Sequence, residues 1–152
     1  MSDKLNERKD IFHAKRGVLF SLIFFLILAV IGTVQALTGA SGSVMTQVDS
    51  GVLGVAGNYG DAEFIQLDTV SNVEMLDSLD IGTCIEGSET KNTVSGVFCN
   101  DAYGEYTIHA YTNGSPYIVI TYGDRQILVC NAHKAKQTTE LYETILSEIP
   151  VM

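Results

Sequence analysis

One apolar run near the start, "KRGVLFSLIFFLILAVIGTVQALTG" at residues 15–39, constrains this chain more than any other feature. No charged residue lies between Arg16 and Asp49. A helix packed on a globular core keeps one polar face toward water, whereas this run is apolar all round, the pattern of a segment solvated by lipid. About 20 residues at about 1.5 Å each reach about 30 Å, the thickness of the hydrocarbon layer. The core-helix reading fails on that uniformity, and two readings stay open. Val34 and Ala36 flank Gln35 at a spacing a signal peptidase accepts, so the run can be a cleaved export signal. Signal h-regions, however, run about 7 to 15 residues, and the stretch 18–34 is longer. Length favours a permanent transmembrane helix over residues 17–37.

Charge then assigns the two sides. The first 16 residues carry five cations against three carboxylates, net +2, while the remainder sets Lys91, Arg125, Lys134 and Lys136 against fifteen carboxylates, net −11. Lys15 and Arg16 abut the apolar run, so residues 1–16 are expected as a basic cytoplasmic tail of a single-pass cell-membrane protein. The domain beyond residue 40 is then extracytoplasmic. So few cations in that domain are a poor fit to nucleic acid or to an anionic lipid surface. Residues 38–43, within "TGASGSV", read as a short flexible linker.

From residue 44 to 149 the pattern changes to short alternating runs separated by turn signals, among them "VMTQV", "AEFIQL", "VSGVF", "EYTIHAYT", "YIVITY" and "QILVC". That is the signature of a small, mainly β, antiparallel domain of about seven strands. The clearest hairpin is "YIVITYGDRQILVC": a two-residue turn at Gly123-Asp124 sets Ile120 opposite Ile127 and Ile118 opposite Val129, all four facing the core. Asn113-Gly114 and "NDAYGE" supply further turns. Asn113-Gly114-Ser115 also fits a glycosylation sequon, but Pro116 follows directly and it reads as a turn only. After the last strand, Asn131 is a natural N-cap for a helix over about 132–149. Thr138, Leu141, Tyr142, Ile145, Leu146 and Ile149 fall at helical spacing before Pro150. Such a helix would plug one open end of a bent sheet or partial barrel.

These segments together resemble the bacterial pleckstrin-homology-like domains of small membrane proteins of Gram-positive bacteria. The resemblance covers residues 44–149 and is carried by "GNYG", "LDTVSNVEMLDSL", "SGVF", "YGEYTIHAYTNGSPYIVI" and "CNAHKAKQTTELYETI" in that order. It implies a seven-stranded bent β-sandwich or partial barrel capped by a C-terminal helix, and no particular ligand. Relatives of this kind often carry two membrane helices, which would leave the domain cytoplasmic; this chain has one apolar run. Phosphoinositide-binding relatives place basic residues between their first strands, where "VDSGVLG" and "GNYGDAE" carry carboxylates, so phosphoinositide binding is disfavoured.

Candidate chemistry is sparse. Cys84, Cys99, Cys130, His109 and His133 are the only nucleophile or metal candidates, and none of them sits at a zinc-ligand spacing. No catalytic residue, metal or cofactor is therefore expected, and the thiols are expected to fill or flank strands. Outside the membrane, an odd count invites one disulfide, Cys84 with Cys99 or Cys130. The pairs Asp77/Asp80 and Glu86/Glu89 read as solvated turn and loop acids. Three functions follow: an anchored, non-catalytic module binding an unidentified protein; a cytoplasmic-facing regulatory or assembly subunit of a membrane complex; and a minor enzyme using Cys99, Cys130 or His109. The tyrosine-bearing "YTIHAYTNGSPYIVITY" suits either a binding surface or a core rim.

Overall fold

The computed structural model describes residues 41–60 and 62–150. The expected tail 1–16, the helix 17–37 and linker residues 38–40 lie outside the described residues; within them, no helix is long and apolar enough to cross a membrane. Alternation and turn chemistry yield nine strands rather than seven: β1 Met45–Asp49, β2 Val52–Ala56, β3 Glu63–Gln66, β4 Val70–Leu76, β5 Thr83–Glu89, β6 Thr93–Asn100, β7 Gly104–Tyr111, β8 Tyr117–Tyr122 and β9 Gln126–Cys130. One helix, α1, spans Ala135–Glu148. The first three strands form an antiparallel sheet, and the other six form a second sheet in the order β4-β8-β9-β7-β6-β5. The domain is therefore mainly β, in two sheets with one C-terminal helix. It is not a pure meander, because β9 lies between β8 and β7 and pairs with β7 in parallel.

Two cores follow from the apolar runs of β8 and β9, which are buried on both faces. Ile118, Ile120, Leu128 and Cys130 face the inner side of the three-stranded sheet, where Leu53, Val55 and Ile65 meet them. Ile145 of α1 closes this core, with Leu141, Tyr142 and Ile149 partly buried beside it. Each fully buried Leu or Ile here contributes about 1.5–3 kcal/mol relative to exposure. On the opposite face, Val119 and Val129 join Val94, Phe98, Tyr106, Ile108, Ala110 and Tyr117 in a second core.

The six-stranded sheet encloses that second core by curling. Its edges β4 and β5 would stand about 24 Å apart if it were flat, yet residues 77–82 join them while turning Leu79 and Ile81 inward onto the core. Tyr106 Oη donates to the Ile81 carbonyl at 2.7 Å and ties that connection down. Gly87 and Gly96 pair between β5 and β6. Gly96 has φ +131°, and a Cβ there would stand 2.2 Å from the Glu86 carbonyl oxygen, so only a hydrogen lets the two backbones come this close.

Three local expectations are corrected. The β8–β9 hairpin closes on Tyr122 and Gln126, with Ile120 opposite Leu128 and Ile118 opposite Cys130. Its loop has three residues, because Arg125 adopts φ +68° and joins the turn. The slip of one residue turns Ile127 and Val129 to the other face, so the four expected core residues divide between the two cores. Asn131 is not the helix N-cap: α1 starts three residues later than expected, with Lys134 in that position and no side-chain cap. Thr138 Oγ1 instead accepts from the Ala132 N–H at 3.0 Å and organises the first turn. Leu146, expected on the apolar face, is 46% exposed.

Candidate functional site

The residues that carry potential chemistry are distributed by the sheet rather than gathered. Cys84 sits opposite Phe98 and leans on the second core, while Cys99, the next residue of β6, points to the other face and is exposed. Cys130 lies in the first core. Cys99 and Cys130 are separated by β7 and by four residues of register, about 16 Å, far beyond the Cα separation a disulfide tolerates. All three thiols are free, so neither expected disulfide forms. His133 is exposed and stacks edge-on against Tyr111, with ring centroids 5.0 Å apart.

His109 and Cys130 are register partners in the parallel β7–β9 pair. Burial pushes the Cys130 thiol up to about 12, which keeps it protonated at neutral pH and a poor nucleophile. The His109 ring turns instead to Ser95, whose Oγ lies 2.6 Å from Nδ1. Nothing in the sequence singled out Ser95; it becomes visible only through the β6–β7 register that sets it opposite His109. Ser95 Oγ also accepts from the Tyr59 N–H at 3.2 Å. Burial lowers the His109 pKa, so the ring is held neutral.

This Ser–His pair has the contact distance of a nucleophile and its base, but it lies under the chain. Gly57 passes directly over it: a Cβ on Gly57 would stand 2.1 Å from Ser95 Oγ and 2.5 Å from His109 Nδ1. A space that cannot hold a methyl group cannot hold a substrate carbonyl. What the pair does is join a polar seam across which the segments flanking β1–β2 are laid on β6 and β7. Asn58 Nδ2 donates to Thr93 Oγ1 at 2.8 Å, and the Gly42 N–H donates to Asn92 Oδ1 at 2.8 Å. The Val44 N–H donates to Tyr111 Oη at 3.2 Å. Gly42 and Ser43, expected as linker, are thus bound to the domain, Ser43 through Asn58 Oδ1.

The tyrosines follow the core-rim reading, since Tyr106, Tyr111 and Tyr117 are all under 9% exposed. Burial raises the Tyr106 hydroxyl to about 12. Asp80 caps its own turn by accepting from the Gly82 N–H at 3.0 Å, as expected of a turn aspartate. Among the described residues, no group of three His, Cys, Asp or Glu is placed to hold a metal ion.

Among the described residues, two surfaces that expose large apolar side chains bear on binding. The first is the outer edge of β5, which pairs only with β6. It carries Ile85, 54% exposed, beside Glu86 and Glu89, and Tyr59 Oη donates to Glu86 at 2.8 Å. That carboxylate raises the Tyr59 pKa. The second is the outer face of the three-stranded sheet, a shallow groove of about 560 Å³ lined by Met45, Gln47, Asp49, Val52, Gly54, Ala56 and Phe64 among others. Phe64 lies across its register partner Gly54. Against family models, curated proteins and solved structures, the chain finds no match.

Proposed function

We propose that the chain is a single-span, membrane-anchored, non-catalytic module. Its β-domain, held outside the cytoplasm by residues 17–37, binds another protein along the free edge of β5. The observation that carries this reading is that edge: β5 pairs on one side only, and Ile85, at the register shift between Cys84 and Glu86, stands 54% exposed beside two carboxylates. Such an edge accepts an added strand, and Glu86 and Glu89 select one bearing Lys or Arg while repelling a second copy of themselves. The bacterial pleckstrin-homology-like reading of the domain is supported by two packed sheets and a C-terminal helix against the core. Nine strands and the parallel β7–β9 pair depart from it.

The test is a photo-crosslinking side chain at Ile85 in the full chain in native membranes, with a control at Asp124 in the β8–β9 turn. The expected result is one discrete protein adduct from position 85, lost when Glu86 and Glu89 are both replaced by lysine. No adduct from Ile85 would sink the reading. A second reading, a cytoplasmic-facing regulatory subunit, draws on the three free thiols, which suit a reducing compartment. Labelling Cys99 on intact cells with a membrane-impermeant thiol reagent separates the two. Modification only after lysis favours the cytoplasmic subunit, and a mature chain starting near Leu37 would make the apolar run a cleaved signal.

A further inference from the structure

The connection from β2 to β3 crosses β6 and sets an aromatic ring beside the β5 edge. Asn58 Nδ2 donates to Thr93 Oγ1 at 2.8 Å. The Ser95 hydroxyl meets both backbone groups of the next residue, accepting from the Tyr59 N–H at 3.2 Å and lying 3.3 Å from the Tyr59 carbonyl oxygen. With its backbone pinned, Tyr59 reaches Glu86, its Oη donating to Oε1 at 2.8 Å, and 38% of the residue stays exposed. A carboxylate accepts at two oxygens, so Glu86 keeps capacity for a further donor. Glu89 faces the other way. The β5–β6 ladder runs without a break from Glu86 opposite Val97 to Glu89 opposite Val94. Three residues is an odd step, so Glu86 shares the face of Ser95 and Tyr59, while Glu89 shares the face of Val94, on the side of the second core. Both glutamates are exposed, and between them stand Gly87 and Ser88, the smallest side chains of β5.

We infer, resting on the β5 edge as the binding surface, that the partner's strand carries an arginine separated by two residues from a second Arg or Lys, with Tyr59 as the residue that positions Glu86 and selects the arginine. Residues three apart on an added strand stand about 10 Å apart and face opposite sides, as Glu86 and Glu89 do, whether the strand runs parallel or antiparallel. Cations two apart would share one face and leave one carboxylate unmatched. A planar guanidinium stacks on a phenol ring while donating to a carboxylate, so the position against Tyr59 and Glu86 favours arginine, and Glu89 accepts either cation. Fifteen carboxylates against four cations beyond residue 16 suit a basic partner. A second copy does not carry the pattern, because no two of the chain's nine Lys and Arg residues stand three apart.

The test uses the full chain in mild detergent and fluorescein-labelled peptides of threonine and valine, read by anisotropy. One peptide carries two arginines three residues apart; a second has the same composition with the arginines two apart; a third has lysines in place of the arginines of the first. The first should bind about fivefold more tightly than the second. It should also bind about threefold more tightly than the third, a preference that Tyr59→Ala abolishes and Tyr59→Phe, which keeps the ring, retains. Equal binding of the two arginine peptides, or an arginine preference untouched by Tyr59→Ala, would overturn the inference and leave the β5 edge standing. An adduct from position 85 in native membranes with no binding of any peptide would do the same. Neither an adduct nor peptide binding would overturn both the inference and the edge.

Discussion

Replacing Asn131 by alanine should be the most damaging single-amide change in the domain, because Asn131 holds the parallel strand pair in place. Its side chain is fully buried. Oδ1 accepts from the Tyr111 N–H at 2.7 Å, and Nδ2 donates to the Tyr111 carbonyl at 3.1 Å and the Gly114 carbonyl at 2.8 Å. The amide thus extends the β7–β9 ladder by one rung and grips the loop that carries the chain past β9 to β8. Alanine leaves three backbone groups without these partners, at about 1–3 kcal/mol each, so a loss of about 3 kcal/mol or more is expected. With a urea slope near 2 kcal/mol per molar, the midpoint should fall by about 1.5 M. Full chain in mild detergent, followed by tyrosine fluorescence since the chain has no tryptophan, is the assay. Asn131→Asp sharpens the test. It keeps the acceptor for Tyr111 but sets a carboxylate oxygen against two carbonyls, which raises its pKa in the folded state above the ordinary value of about 3.9. A raised folded pKa gives a deficit relative to wild type that is smallest below about pH 3.9. That deficit grows by about 1.4 kcal/mol per unit as pH rises toward the folded pKa. A pH-independent deficit, or an alanine variant within 1 kcal/mol of wild type, would refute the assigned role.

Buried and neutral, His109 has a lowered pKa, so the unfolded chain takes up a proton before the folded one does. Wild type should lose stability relative to His109→Gln as pH falls below about 6.5, and thermal melts of both at pH 7.5 and 5.5 measure the difference. Gly96→Ala should cost about 3 kcal/mol or more because its Cβ meets the Glu86 carbonyl oxygen. Gly104→Ala, at φ +68° with nothing within 4 Å, should cost only about 1–2 kcal/mol, and paired urea curves compare the two. An aromatic disulfide reagent should modify Cys99 in the native protein and reach Cys130 only in denaturant, with mobility on gels unchanged by reductant.

Most of the strands and the terminal helix were legible because their signals are local. Alternation marks β7, the glycine-bearing turns mark the hairpins, and spacing marks Leu141, Tyr142 and Ile145. What was not legible depends on atoms far apart in the chain. The β8–β9 register departs from the expected one because Arg125 joins Gly123-Asp124 in the turn, and nothing in an arginine announces a left-handed backbone there. A hairpin at "YIVITYGDRQILVC" looks equally good in either register, since both faces of both strands are apolar and both become buried. Alternation specifies register only where one face is polar.

Asn131 departs from its expected role because its partners are distant in the chain. An Asn before a helical pattern is a sound N-cap signal, and its side chain does satisfy orphaned backbone groups, but those of Tyr111 and Gly114 rather than of the helix. The choice is made by β9 inserting beside β7 instead of folding out to the sheet edge, a decision no local spacing records. That insertion also carries His109 and Cys130 into register. One strand placement therefore accounts for the failed helix cap, for the buried histidine and for the inertness of the most enclosed thiol. The binding surfaces must then be sought at the periphery, on the β5 edge and on the outer sheet face, where the fold leaves apolar side chains uncovered.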